Sequence, residues 1–149
     1  RTDSSAASDV YKRQPYIRTS GFGGPDIWIV KFDSNGNVLW QKTYGTLSET
    51  DQQQGNEFPS HVIIDNDGNL IFGTRYGYFL TPTHGLVKVD PNGDIVWEKE
   101  VSSACLPRLV EPDNSFYVVS VDNSSGTNLG QIIYFDKDGN IIWKKEFSA

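Results

Sequence analysis

Apolar and polar side chains alternate along most of this chain with a period of two, broken by short clusters rich in Asp, Asn and Gly. In Ile29–Lys42, IVKFDSNGNVLWQK, Val30 and Phe32 fall on one face of a first segment. After the break, Val38, Trp40 and Lys42 share one face, and Leu39 and Gln41 the other. Such alternation, in runs rich in β-branched and aromatic residues, predicts β-strands of about five to seven residues. No segment has helical periodicity. Gly45–Ser60, GTLSETDQQQGNEFPS, is polar with a weak strand pattern and is expected to project as a loop.

The breaks have a chemistry of their own. Leu86–Lys99, LVKVDPNGDIVWEK, and Ile132–Lys145, IIYFDKDGNIIWKK, align with Ile29–Lys42 so that Asp33, Asp90 and Asp136 coincide. So do Gly36, Gly93 and Gly139, and Trp40, Trp97 and Trp143. An Asp-x-Asn/Asp-Gly break suits a type I turn followed by a left-handed residue, with Asp accepting backbone N–H groups and Gly taking φ > 0. That is a hairpin with a G1 bulge. A second series lies between the copies, in Val62–Thr74, VIIDNDGNLIFGT, and Leu109–Ser120, LVEPDNSFYVVS. There Asp65–Gly68 repeats the turn, while Asn114 stands where Gly would be, as the next-best residue for a left-handed position.

Two hairpins per period make four strands. The Trp residues are 57 and 46 positions apart, and four-stranded units recurring at about 40–50 residues predict β-propeller blades. The expected fold is all-β: a partial propeller of four-stranded antiparallel blades, about two to three of them and incomplete. It comprises the tail of one blade at Tyr16–Ser20, two fuller periods and the start of another. Open end blades would leave apolar faces and strand edges unprotected, so the isolated chain is expected to be marginal or self-associating.

Composition narrows the function classes. The chain has 149 residues, enough for one domain with a real core. Aromatics at 13%, fourteen Gly, seven Pro and no Met agree with a turn-rich β chain. The net charge of −6 argues against a partner bound through a phosphate backbone, so nucleic acid is not expected. No apolar run is long enough to span a membrane. Cys105 is the single cysteine, which excludes an internal disulfide, and it reads as a small buried apolar residue.

Ser4–Gln14, SSAASDVYKRQ, resembles in all eleven residues the translation of a sequencing-library adapter. A polar disordered tail is the alternative. On either reading residues 1–14 are expected to stand outside the fold and residues 15–149 to carry it, and the native N-terminus is expected to be missing.

Within residues 15–149, LVKVDPNGDIVWEK resembles the repeat of quinoprotein-like (PQQ-repeat-like) β-propellers. DIWIVKFDSNGNVLWQKTYG followed by IIDNDGNLIFGT is similar to propeller repeats in secreted proteins of Bacteroidetes-type bacteria. The resemblance implies a secreted or cell-envelope location and a non-catalytic scaffold or binding segment of a larger exported bacterial protein. Its partners would be the remaining blades of the same chain and a protein or glycan ligand. The alternative it implies is a fragment of a propeller enzyme, quinoprotein oxidoreductase or carbohydrate-active, whose active site lies in missing blades. Many quinoprotein dehydrogenases carry a vicinal disulfide that one Cys cannot make, so no cofactor is expected.

The residues themselves offer no catalytic, cofactor-binding or metal site. Trp40, Trp97 and Trp143 could stack a planar ligand, but their fixed place in the repeat favours packing. Trp28 lacks an equivalent in the later copies and is the better surface aromatic. The Asp-rich turns lack the spacing and the terminal Glu of a calcium loop. His61 and His84 differ in repeat context and form no pair. The recurring Lys residues, among them Lys31, Lys42, Lys88, Lys99, Lys144 and Lys145, suit solvated strand faces. Thr46–Ser60, the longest expected loop, is the choice for a contact surface.

Overall fold

The computed structural model describes residues 10–13, 27–44, 58–76, 83–101, 104–122 and 129–147. Among them the secondary structure is entirely β. The strands are β1 (Val10–Arg13), β2 (Ile27–Phe32), β3 (Val38–Tyr44), β4 (Phe58–Ile64), β5 (Leu70–Tyr76) and β6 (Thr83–Val89). β7 (Ile95–Val101), β8 (Ala104–Val110), β9 (Phe116–Asp122), β10 (Leu129–Phe135) and β11 (Ile141–Phe147) complete them. They form three antiparallel sheets in chain order: β1-β2-β3, β4-β5-β6-β7 and β8-β9-β10-β11.

Local chemistry explains each hairpin. Gly36, Gly68, Gly93 and Gly139 have φ of 86°, 82°, 82° and 78°, and Asn114, the Gly substitute, has φ of 66°. In the first turn the Gly36 N–H donates to the Asp33 carbonyl at 3.1 Å, and the Asp33 N–H to the Asn37 carbonyl at 3.0 Å. Asp33 Oδ1 accepts from the N–H groups of Asn35 and Asn37 at 2.9 and 2.8 Å. Asp65, Asp90 and Asp136 do the same in their turns. The β2–β3, β6–β7 and β10–β11 registers then slip by one residue beside the turn, the expected bulge.

The strand at Val10–Arg13 falls in the adapter-like segment. It pairs with the outer edge of β2, Val10 opposite Phe32 and Arg13 opposite Ile29. Tyr16–Ser20 lies outside the described residues. Of the expected Thr46–Ser60 loop, Phe58–Ser60 belong to β4 instead, where Phe58 and Pro59 pair with Arg75 and Thr74. A polar, Pro-containing stretch hides the start of a strand whose partners lie on β5, across the Asp65–Gly68 turn.

The sheets pack face to face in two apolar layers. Leu70, Phe72, Val87 and Val89 from β5 and β6 meet Ile27, Ile29, Trp40 and Tyr44 from the first sheet. The opposite face of β4–β7 supplies Ile71 and Leu86, with Ile63, Trp97 and Val101 at its margin. These pack on Cys105, Phe116, Val118, Ile133 and Phe135 of the third sheet. Strands β5 and β6 are therefore buried on both faces. Trp97, Phe116 and Phe135 form a stacked column with centroid separations of 6.2 and 5.2 Å.

Two features fix how closely the second and third sheets approach. A Cβ on Gly73 would collide with the Cys105 carbonyl oxygen and with Ser60 Oγ, which itself donates to that carbonyl at 2.8 Å. The second feature is a buried ion pair, Lys88 Nζ to Asp65 Oδ2 at 2.8 Å. Lys88 Nζ also reaches the Lys137 carbonyl of the third sheet at 3.3 Å. Burial pushes the Asp65 carboxyl up, but the hydrogen bonds from Lys88 and Asn69 and the Lys88 charge outweigh it and hold the value below the usual 3.8.

Gly73→Ala should destabilise the protein by about 1–3 kcal/mol in urea unfolding, as overpacking does. Gly130→Ala, whose nearest contact would be 3.9 Å away, should change stability far less. Equal effects would mean that Gly73 does not set the approach of the sheets. The Asp65 carboxyl titrates lower when folded than when unfolded, so its stabilisation is complete above the ordinary carboxylate range. It is lost as pH falls through 3.8 toward the lowered folded value. Asp65→Asn should cost about 3–5 kcal/mol at neutral pH, because Lys88 is left buried without its partner, and should flatten the acid limb of the stability curve. An unchanged acid limb in pH-dependent urea melts would contradict this.

Candidate functional site

The polar chemistry of the molecule is concentrated where one sheet meets a turn of the next. Trp40 Nε1 donates to the Pro91 carbonyl at 2.8 Å, and Lys31 Nζ donates to the same oxygen at 3.2 Å. Tyr44 Oη donates to the Gly93 carbonyl at 2.7 Å, and Lys42 Nζ to Asp94 Oδ1 at 2.6 Å. The next joint repeats the pattern: Trp97 Nε1 and Lys88 Nζ both donate to the Lys137 carbonyl, at 3.2 and 3.3 Å. Pro91 and Lys137 hold the same position in their Asp-x-x-Gly turns. A type I turn points that carbonyl outward, where a donor from another sheet can reach it.

The second series of turns makes its own joint. Asn66 N–H donates to Asn114 Oδ1 at 2.8 Å, and Asn66 Nδ2 to the Glu111 carbonyl at 2.8 Å. Asn114 Nδ2 donates to Asp67 Oδ2 at 2.6 Å. The carboxylates that resemble calcium ligands in sequence are engaged by their own turns. Their hydrogen bonds, from Asn37 to Asp33, from the Asp94 N–H to Asp90 and from the Asn140 N–H to Asp136, hold all three below the usual carboxylate value.

The remaining sequence candidates do not converge. His61 lies on β4 and His84 on β6, with β5 between them. Cys105 is buried, and desolvation pushes its thiol up to about 12, so it stays protonated and inert. Trp28 is half-buried in β2, opposite Thr43. Residues 46–57 of the expected contact loop lie outside the described residues. Among those described, no group of three or more His, Cys, Asp or Glu is placed to hold a metal ion, and no helix is long and apolar enough to cross a membrane.

One surface was not legible as a site. Tyr117, Tyr134 and Trp143 line the outer face of the third sheet, with centroids 4.6 Å apart for the tyrosines and 5.5 and 6.0 Å from each to Trp143. Lys145 Nζ lies 5.6 Å from the Trp143 ring centroid, within cation–π range. Tyr134 Oη makes a short hydrogen bond with Ser115 Oγ, which in turn donates to Asp113. Those bonds from Ser115 lower the Asp113 carboxyl, while burial and then the Glu111 charge raise the Tyr117 phenol. The signal for this cluster was a departure from the repeat: Tyr134 stands where Lys31 and Lys88 stand in the other copies.

No family model matches the chain and no curated protein matches it. Among solved structures, a protein of unknown function from Bacteroides caccae is similar in fold, with a TM-score of 0.52 and 15% identity over 87% of this chain. The match spans 40% of that protein, so this chain corresponds to less than half of its length.

Proposed function

We propose that this chain is a run of consecutive β-propeller blades serving as a non-catalytic scaffold or binding segment of a larger exported bacterial protein. The observation that carries the reading is the repeated joint, Trp40 to the Pro91 carbonyl and Trp97 to the Lys137 carbonyl. Two successive sheets meet their neighbours through the same donor and the same turn position. That is how a structural repeat extends.

The disposition of reactive groups supports a structural role. The turn carboxylates hold backbone N–H groups, Trp40 and Trp97 hold carbonyls, and the Cys105 thiol is shielded. The similarity to a longer bacterial chain, of which this one spans 40%, agrees with a segment of a larger assembly. Export rests on the resemblance of the repeats to those of secreted propeller proteins.

Trp97→Phe keeps the apolar ring and deletes the donor, and should cost about 0.5–1.5 kcal/mol in urea unfolding. A cost near zero would remove the joint as a structural element. A crystal structure of the full-length protein should place these sheets as neighbouring blades around a central channel, and fractionation should find the protein outside the cytoplasm. A stack without a common axis would overturn the propeller, and a cytoplasmic protein with a complete catalytic domain would overturn the scaffold reading.

A further inference from the structure

Each sheet presents two aliphatic side chains to solvent just after an Asp-x-x-Gly turn. They are Val38 and Leu39 on β3, Ile95 and Val96 on β7, and Ile141 and Ile142 on β11. Ile95 and Val96 keep 52% and 53% of their surface exposed, against 53–56% for the other four. Yet the second sheet is packed on both faces, by the first sheet and by the third. Its exposed pair is therefore a property of the repeat itself, which neighbouring sheets do not cover.

β7 is also an edge. In the order β4-β5-β6-β7 no described strand pairs with its outer side, so alternate backbone N–H and C=O groups face outward there. Trp97 and Lys99 turn toward the third sheet and are half-buried, while Val96, Glu98 and Glu100 alternate with them and are exposed. The cross-strand neighbours of Glu98 and Glu100 on β6 are Val87 and Gly85, so neither carboxylate meets a cation across the hairpin. The matching positions on β3 are Leu39, Gln41 and Thr43, which carry no charge. On β11 they are Ile142, Lys144 and Glu146, where Lys144 pairs with Glu146 at 2.9 Å. Among these three outer strands, β7 alone sets an aliphatic residue beside two carboxylates of the same sign.

We propose that the outer edge of β7 takes a fifth strand from a partner protein. The strand is an extended segment with Lys or Arg at alternate positions and an aliphatic residue at the end that meets Ile95 and Val96. Backbone pairing gives such a contact its affinity, and the side chains give it specificity. Opposite charges side by side on paired strands are favourable, and like charges are not. That selects a basic segment and disfavours a second copy, whose own β7 would set Glu98 and Glu100 among carboxylates. The net charge of −6 attracts the same partner at longer range. The inference rests on the proposed binding role of the chain and gives that role a site.

Isothermal titration of the 149-residue chain with peptides of about ten residues, enough for one strand, tests this. A peptide alternating Lys and Val should bind, and its Glu/Val counterpart should not. Glu98→Lys with Glu100→Lys, both at exposed sites, should weaken the Lys/Val peptide by about tenfold or more and let the Glu/Val peptide bind instead. The doubly changed chain is still acidic, so attraction by net charge alone would not produce that reversal. Val96→Ser should weaken the Lys/Val peptide about two- to fivefold through lost apolar contact. Two further Lys/Val peptides carry N-methyl groups on the backbone, one at every Lys and one at every Val. Only alternate N–H groups of an added strand face the edge, so one of these should lose binding and the other keep it. Binding that survives both methylations, or that the double Glu→Lys change leaves as it was, overturns the proposal. A wild type that binds neither peptide overturns it too. So does self-association in sedimentation that the same double change abolishes, which assigns the edge to a second copy. The joints are tested separately by Trp97→Phe, so failure here leaves the scaffold reading standing.

Discussion

The carbonyl at the second position of each Asp-x-x-Gly turn is the point through which one sheet is tied to the next. It is available because the Asp carboxylate takes over the N–H groups that would otherwise compete for the turn's acceptors. Glycine at the fourth position keeps the turn surface flat enough for an indole to lie on it, as the 3.1 and 3.2 Å approaches to Gly93 and Gly139 require. Trp then contributes in two ways, since its ring buries apolar area while Nε1 satisfies the carbonyl. Loss of any of the three would leave a buried polar group unpaired or the sheets apart.

This arrangement explains why buried charge is tolerated in so small a core. Lys31 and Lys88 are both buried on their strands, and each amine ends on a turn carbonyl of the following sheet. At Lys88 a carboxylate also shares the amine, and the pair is nearly dry. A buried pair contributes little net stability relative to apolar residues of the same volume, but it is costly to break. Within the second sheet it holds the Lys88 amine where it also donates to the Lys137 carbonyl of the third. Gly73, on the same face, fixes the lateral approach.

What could be read from the sequence was what local chemistry decides. The turns, their left-handed glycines, Asn114 as a stand-in and the strand alternation all follow from residues within a few positions of each other. The start of β4 did not, because Phe58 and Pro59 pair with Arg75 and Thr74 of β5, and Ser60 donates to the Cys105 carbonyl 45 positions away. The Asp65–Lys88 pair escaped for the same reason, each residue reading separately as a turn former and a solvated lysine. The aromatic face escaped because Trp143 looks like its homologues. Its different surroundings come from Tyr134 and Tyr117, which only strand pairing brings beside it.

The third sheet differs from the other two in one chemical respect. Tyr134 replaces the lysine that elsewhere donates a second hydrogen bond to the turn carbonyl, and its hydroxyl is turned inward to Ser115. Ser115 spends its own proton on Asp113, so Tyr134 is the donor in that bond and has none left for a neighbour.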